Sequence, residues 1–213
     1  MTQTRHELSS ILSWPRVYAF WSRLVGGDLA HAELVKRYLQ VNPGDTVLDI
    51  GCGPAAILAS LPQDISYVGF DPSAAYISRA RALFGDRATF FCGSISAPPT
   101  VPSNHFDIVM ALGVLHHLDD RQAEQLFALA YDALGPGGRF ISFDPVLDVP
   151  DQSRIARWII LQDRGRHVRR EAEYLVLAKK HFAEVRSSVR LDFIRIPYSH
   201  LFLECRKNFH GPR

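Results

Sequence analysis

Two acids at the ends of neighbouring apolar stretches are the residues in this chain best suited to bind a ligand. Asp49 lies in VLDIGCGPA, residues 47–55, where an apolar strand pattern runs into a glycine turn. Asp71 ends a second strand pattern, YVGFDPS, residues 67–73, and follows Gly51 by 20 positions. In a βαβ unit this spacing places an acid where it can accept hydrogen bonds from a ribose. The pair therefore predicts a site for a nucleoside-containing cofactor.

The residues of the glycine turn favour an amino-acid ligand over a diphosphate. In a dinucleotide-binding turn, glycines bring backbone N–H groups close to a pyrophosphate. Here Asp49 stands two residues before Gly51, where its charge repels a diphosphate but attracts an ammonium group. Gly51 and Gly53 permit close backbone approach, and Pro54 suits the first turn of a helix. A ligand with an amino-acid end and a ribose end fits this turn, and S-adenosylmethionine (SAM) is such a ligand.

The turn resembles the first motif of the class I SAM-dependent methyltransferases. Asp49, Gly51 and Gly53 match that motif, and Ala55 replaces its third glycine, a mild change since both residues are small. ALGVLHHLDD, residues 111–120, resembles the segment after strand four in members that act on small molecules, and GPGG, residues 135–138, resembles their K-P-G-G turn. The resemblance is strong over residues 40–145. It implies SAM as the cofactor and methyl transfer as the reaction.

The cofactor residues implied by this resemblance lie at strand ends, where ligands bind in open α/β sheets. Asp71 and Pro72 would contact the ribose, and Ser94 and Ile95 would lie by the adenine. Backbone groups at Leu112 would lie near the methionine part. The full set of predicted cofactor-binding residues is Asp49, Gly51, Gly53, Asp71, Pro72, Ser94, Ile95, Leu112 and Tyr18, the last of which would reach the cofactor's carboxylate.

Two adjacent histidines, His116 and His117, are the predicted catalytic residues. Methyl transfer from a sulfonium is an in-line displacement, so the protein mainly aligns the acceptor and excludes water. A base is needed only where the acceptor must lose a proton, and histidine suits that task because its pKa lies near neutrality. The competing interpretation is that one of the two packs against the sheet or caps the next helix.

A basic segment, residues 151–170, is the best indication of the acceptor. It contains six arginines and two aspartates, and arginine binds carboxylate or phosphate with two parallel hydrogen bonds. We therefore expect a small, anionic acceptor methylated at oxygen or nitrogen; the alternative is a solvated helix face with surface ion pairs. His200 could close the same pocket. The predicted acceptor-binding residues are Trp21, Asp144, Arg164, His167, Arg169 and Tyr198.

Strand and helix patterns alternate along the chain, which predicts a parallel sheet with right-handed crossovers. The fold class is α/β: a Rossmann-like, seven-stranded, mostly parallel sheet with helices on both faces, N-terminal helices and a cap segment after strand five. Predicted strands are 46–50, 67–70, 89–92, 106–112, 139–143, 185–191 and 200–206, and predicted helices are 8–41 (broken at 26–27), 54–61, 73–83 with an N-cap at 73, 120–134 and about 170–182.

The length of 213 residues suits a single domain. Within it we expect a helical lid over residues 1–40, a SAM-binding core over 41–146, the cap segment over 147–170, and a C-terminal helix with a strand pair over 171–213.

Composition excludes several partners. The formal net charge is +2, so no global field indicates nucleic acid, and the three cysteines form no metal or disulfide pattern. The sequence predicts neither a membrane span nor a signal peptide, so a cytoplasmic protein is expected, as a monomer or homodimer.

Four other functions compete with small-molecule methyl transfer. A nicotinamide dehydrogenase would want glycine at positions 49 and 56, which hold Asp49 and Ala56. A nucleic-acid methyltransferase would carry an N/D-P-P-Y-type motif after strand four or a long basic stripe with aromatics. A metal-dependent enzyme needs several oxygen ligands, and Asp144 has no evident partner cluster. Cyclisation or elimination of SAM itself, or a non-catalytic SAM-binding subunit, stays open.

Overall fold

A computed structural model describes residues 32–162, 165–194 and 196–208 of the chain. Tyr18, Trp21 and Arg164, which carry predicted roles, lie outside these residues, as does most of the predicted helical segment 8–41. No helix within the described ranges is long and apolar enough to cross a membrane.

The sheet has the predicted Rossmann-like architecture. Its strand order is β3-β2-β1-β4-β5-β8-β7, with a short extra strand, β6, beside β5. Strands β1 to β5 pair in parallel, and β8 runs antiparallel to both β5 and β7. The bounds are β1 Thr46–Ile50, β2 Ser66–Asp71, β3 Thr89–Cys92, β4 Phe106–Leu112, β5 Leu134–Leu147, β6 Arg169–Arg170, β7 Glu184–Arg190 and β8 His200–Arg206.

The central strands are apolar on both faces because each face is covered. β1 and β4 are almost wholly buried, as in the interior of a parallel sheet. One face packs against helices α2 (Asp120–Ala133) and α4 (Glu171–Lys179). The opposite face packs against α1 (Ala74–Phe84), a 3₁₀ helix, Ala56–Ser60, and a π-helical turn, Leu34–Leu39. The remaining helices are α3, Arg154–Leu161, and a 3₁₀ turn, Leu115–His117.

Short polar side chains fix where the helices begin. The Ser73 hydroxyl accepts a hydrogen bond from the Tyr76 N–H at 3.3 Å, which confirms Ser73 as the N-cap of α1. Asp119 and Gln122 form a reciprocal capping box at the start of α2. The caps hold both helices directly after the turns that end β2 and β4.

Several predicted bounds differ from the structure. The helix expected over residues 54–61 is a 3₁₀ helix of five residues. The glycines of residues 135–138 end α2 as expected, yet they belong to β5, which is 14 residues long rather than five. A Cβ at Gly138 would lie 2.9 Å from the Phe106 carbonyl oxygen, so glycine permits this close pairing. The predicted helix over 170–182 ends at Lys179, and the cap segment contains α3.

Candidate active site

Asp71 holds together the two turns that surround the predicted ribose position. Its Oδ2 accepts a hydrogen bond from the Gly53 N–H at 3.0 Å, and its Oδ1 accepts one from the Ser73 N–H at 2.8 Å. A carboxylate has about four acceptor positions, so these two bonds leave acceptor capacity for a ligand. The two hydrogen bonds thus fix the acid at the carboxyl end of β2.

Asp49 is buried one strand away. Only 3 % of Asp49 is exposed, and its Oδ2 accepts a hydrogen bond from the Tyr67 hydroxyl. Burial raises the pKa of Asp49 from its ordinary 3.8 to about 7; the Tyr67 hydrogen bond opposes this rise, and the nearby charge of Asp71 adds to it. A cation placed beside Asp49 would favour its ionised form.

The glycine turn has the backbone conformation that the motif requires. Gly51 and Gly53 have φ of +73° and +53°. A Cβ on Gly51 would meet Val114 Cγ2 at 2.7 Å, whereas one on Gly53 would meet nothing within 4 Å. Gly53 therefore faces open space next to Asp71, where a cofactor can lie. Ala55 has φ +55°, a left-handed backbone conformation. The glycine that the family motif has at this position would adopt that conformation without strain.

The other predicted cofactor residues lie at the same edge of the sheet. Pro72 is exposed, and Ser94 forms an isolated bridge with Ala97. Ile95 packs against the hydrophobic cluster that contains α2. Leu112 ends β4. These positions agree with the expected edge, and their contacts with a cofactor stay predictions.

His116 and Asp144 form a buried pair. The Nδ1 of His116 lies 2.8 Å from Asp144 Oδ1, and the His116 backbone N–H donates to the same oxygen at 3.2 Å. Burial raises the pKa of Asp144, while its contacts with His116 lower it. Asp144 Oδ2 has no hydrogen-bond partner within the described residues. Asp144, predicted to contact the acceptor, thus has His116 as its partner in this structure.

His117 differs from its neighbour in exposure. It faces solvent, and its ring centroid lies 4.0 Å from that of His116. The structure therefore distinguishes two histidines that the sequence leaves equivalent: one is fixed by a carboxylate, and the other stands at the surface.

The position of Arg169 corrects its predicted role as an acceptor-binding residue. A guanidinium has five N–H donors, and those of Arg169 donate to the carbonyls of Leu115, Leu118 and His167 and twice to Asp120, at 2.7–3.1 Å. Since these bonds use all five donors, none is left for an anionic acceptor. Arg169 instead fixes the turn that carries the two histidines.

The segment after α3 closes against the same turn. A Cβ on Gly165 would lie 2.1 Å from His116 Cδ2, so only glycine fits beside that ring. The His167 N–H donates to the His116 carbonyl at 3.0 Å. The backbone of His167, a predicted acceptor-binding residue, therefore supports His116.

Surface ion pairs account for two more arginines of the basic segment. Arg157 and Arg170 donate to the two oxygens of Asp148 at 3.0 and 2.8 Å, and these pairings lower the pKa of Asp148. For these two residues the alternative interpretation, a solvated face with ion pairs, is the one the structure supports.

Tyr198 and His200 lie at the start of β8, beside the end of β5. His200 pairs with Pro145 in the sheet register, one position from Asp144. Its ring stacks on Phe143 with centroids 4.4 Å apart, and the Tyr198 ring lies 4.8 Å away. Both residues are buried. The pair therefore lies close to Asp144 within an aromatic cluster, and its contact with an acceptor stays a prediction.

Sequence reasoning missed two residues of this site. Tyr67 could have been found. Side chains alternate between the two faces of a sheet along each strand, so a residue of β2 that pairs two positions before Asp49 lies on the same face as Asp49. Gly165 had no such signal, since its need for glycine comes from a residue 49 positions earlier in the chain. Within the described part of the chain, no group of three or more potential metal ligands occurs.

Comparisons with known proteins agree with this geometry. The family described as a methyltransferase domain matches residues 47–138. An uncharacterized methyltransferase of Synechocystis is 32% identical over 136 residues, which are 62% of this chain and 63% of that protein. A phosphoethanolamine N-methyltransferase of Triticum aestivum is 29% identical over 68% of this chain and 29% of its own length. The 27-O-demethylrifamycin SV methyltransferase of Amycolatopsis mediterranei is 34% identical over 51% of this chain and 42% of its length. The chain thus spans less than two thirds of these relatives.

Solved structures show the same fold at low sequence identity. The Haemonchus contortus phosphoethanolamine N-methyltransferase 2 with bound S-adenosylhomocysteine has a TM-score of 0.68 at 17% identity, over 86% of this chain and 53% of that one. The methyltransferase SibL has a TM-score of 0.71 at 20% identity, over 91% and 57%. The [4+2]-cyclase SpnF has a TM-score of 0.65 at 16% identity, over 86% and 82%. Residues 47–138 match the methyltransferase-domain family, and the chain as a whole resembles the class I SAM-dependent methyltransferases in fold and sequence.

Proposed function

We propose that this chain transfers a methyl group from SAM to an oxygen or nitrogen of a small, anionic molecule. The observation that supports the proposal is the contact between two turns. One is the glycine turn that follows Asp49, and the other is the turn that holds His116. Val114 lies against Gly51, and His116 Cε1 lies 3.8 Å from the Cβ position of Gly113. A cofactor bound at the first turn would therefore lie next to the histidine.

The residues present fit SAM. Asp71 offers a fixed carboxylate to the ribose hydroxyls, Asp49 offers a buried carboxylate to the ammonium group, and Gly53 leaves open space between the turns. SAM would supply a methyl group already made electrophilic by its sulfonium. The chain's own task is then to align the acceptor and exclude water.

His116 is the group we assign to the acceptor's proton. Hydrogen bonding of Nδ1–H to Asp144 sets the tautomer in which Nε2 is the proton acceptor, as in other acid-oriented histidines. Asp144 stabilises the imidazolium once the proton has moved. His117, at the surface beside this ring, would contact the acceptor from the solvent side.

The anionic character of the acceptor depends on fewer residues than the sequence suggested. Arg157, Arg169 and Arg170 are occupied by carboxylates of this chain. The basic residues left for the acceptor are Arg154, Arg166 and the side chain of His167, together with Arg164 outside the described residues. The name of the Triticum aestivum relative indicates a phosphate-bearing substrate, which supports an anionic class.

Methyl-labelled SAM, incubated with the purified chain and pairs of anionic and neutral small molecules, tests the proposal. We expect mass spectrometry to find the label in an acceptor, with a preference for the anionic member of a pair. Consumption of SAM in the absence of an acceptor would replace methyl transfer with chemistry on SAM itself. Binding of SAM without either reaction would make the chain a SAM-binding subunit.

A further inference from the structure

Tyr67 and Asp49 face each other across two neighbouring strands in the sheet. The register pairs Val47 with Tyr67 and Asp49 with Gly69, so both side chains project from the same face. The Tyr67 hydroxyl donates to Asp49 Oδ2, and each residue is only 3 % exposed. The hydroxyl thus directs its proton at an acid that the cofactor site needs.

The surroundings fix the position of the tyrosine ring. A Cβ on Gly69 would lie 2.9 Å from Cys52 Sγ and 3.1 Å from Tyr67 Cε1, so glycine makes room for both side chains. The Tyr67 ring also lies edge-on to Phe90, with centroids 6.0 Å apart. Since the ring is held on several sides, the hydroxyl presents its proton to Asp49 at a fixed point.

We propose that Tyr67 is a positioning residue for SAM: its hydrogen bond to Asp49 fixes that carboxyl group for the cofactor's ammonium group. The inference rests on the proposed function, because it assumes that Asp49 receives that group. It concerns binding rather than methyl transfer, so it can be tested without a known acceptor.

The charges around Asp49 explain why such a residue is needed. Asp71 and Tyr67 face it from β2, and Cys52 faces it from the glycine turn. Burial and Asp71 raise the pKa of Asp49, the Tyr67 hydrogen bond lowers it, and the net pKa is about 7. Burial also raises the pKa of the Cys52 thiol and of Tyr67, so both groups stay neutral near pH 7. Without the Tyr67 hydroxyl, Asp49 would be largely protonated at pH 7 and would attract an ammonium group weakly.

The experiment is calorimetric titration with S-adenosylhomocysteine from pH 6.0 to 8.5. This probe carries the same ammonium and ribose groups as SAM and cannot react. We expect the affinity of the native chain to rise with pH, with its midpoint near pH 7 and a plateau about one unit higher. In Tyr67→Phe this midpoint should move upward by about one pH unit, and the affinity at pH 7 should fall about fivefold, as for loss of a hydrogen bond to a charged group.

Two variants control for structural effects. Tyr174→Phe removes another buried tyrosine hydroxyl, one bonded to the Pro145 carbonyl on the opposite face of the sheet, and should leave the pH profile unchanged. Asp49→Asn should bind weakly and without a pH dependence between pH 6 and 8. A carbon-13 NMR titration of the Asp49 carboxyl in ligand-free protein gives the same comparison without any binding, should Tyr67→Phe bind too weakly to titrate.

The results of these titrations distinguish the role of Tyr67 from the proposed SAM-dependent function. A Tyr67→Phe profile that matches the native one, or an equal loss of affinity at every pH, would overturn the role of Tyr67 and leave the cofactor assignment standing. Failure of the native chain to bind the probe at any pH would contradict the proposed function itself.

Discussion

At the scale of single residues, the site uses acids whose burial costs stability. Asp49 is buried, and burial raises its pKa to about 7. The unfolded chain ionises this group near pH 4, so the folded state loses stability as pH rises from about 4 through 7. The burial of Asp49 therefore costs stability in the ligand-free protein at neutral pH.

Asp49→Asn should accordingly stabilise the ligand-free chain at pH 8. A three-unit rise in pKa corresponds to about 4 kcal/mol, and we expect about 2 kcal/mol or more to be recovered at pH 8. Below pH 4 the native chain and the variant should differ little, because Asp49 is protonated in both states. Urea unfolding at the two pH values measures the difference; a variant less stable than the native chain at pH 8 would contradict the assignment.

Substitution of the buried carboxylate beside His116 tests the proposed base. Asp144→Asn should lower kcat about 100-fold or more, because an amide oxygen or nitrogen no longer sets the same histidine tautomer. The dissociation constant of SAM should change less than twofold, since Asp144 lies outside the glycine turn that follows Asp49. Steady-state kinetics and calorimetry measure the two quantities. An unchanged kcat would assign the pair to folding alone.

At the scale of elements, the segment from Gly165 to β6 acts as a brace for the histidine turn. β6 pairs with the end of β5, and Arg169 extends from it to three carbonyls and Asp120. Gly165 lies against the His116 ring. The cap segment therefore contributes to the site by holding His116 in place.

Gly165→Ala should disturb this brace. Its new methyl group would lie 2.1 Å from His116 Cδ2, so the ring or the segment must move, and we expect about 1–3 kcal/mol of destabilisation with a lower kcat. Gly135→Ala is the matched control, because its nearest contact would be an ordinary 3.6 Å. Thermal unfolding and steady-state kinetics of both variants measure the difference. Equal stability and equal kcat of the two variants would contradict the role of Gly165 in holding His116.

The sequence predicted those elements whose signals are local. Ser73 and the apolar runs of β1 and β4 mark a helix start and buried strands from their own neighbourhood, and the structure has them there. The ion pairs of the basic segment could not be predicted from local signals. The carboxylates that pair with Arg169 and Arg170 lie at positions 120 and 148, outside that segment. The extended conformation of residues 135–138 is likewise supported by a distant residue, because Gly137 and Gly138 exchange backbone hydrogen bonds with Lys207.

At the scale of the whole molecule, the sheet gathers residues from four distant parts of the chain at one edge. β1 and β2 bring Asp49 and Asp71 there, β4 leads into the histidine turn, and β5 carries Asp144 past that edge. The hydrophobic clusters on both faces hold these strands in register. The order of the strands thus brings the predicted cofactor residues together.

Calorimetric titration of SAM into the native chain and two variants would show whether Asp71 binds the cofactor. We expect one site per chain in the native protein. In Asp71→Ala we expect binding weaker by about 30-fold or more, because the variant lacks the charge-assisted hydrogen bonds to the ribose. Asp107→Ala is the control: Asp107 also accepts a backbone hydrogen bond, from Thr46 at the opposite end of the strands, and this variant should bind SAM as the native chain does. Equal affinity of the native chain and folded Asp71→Ala, or no binding of SAM to the native chain, would contradict a SAM site at Asp71.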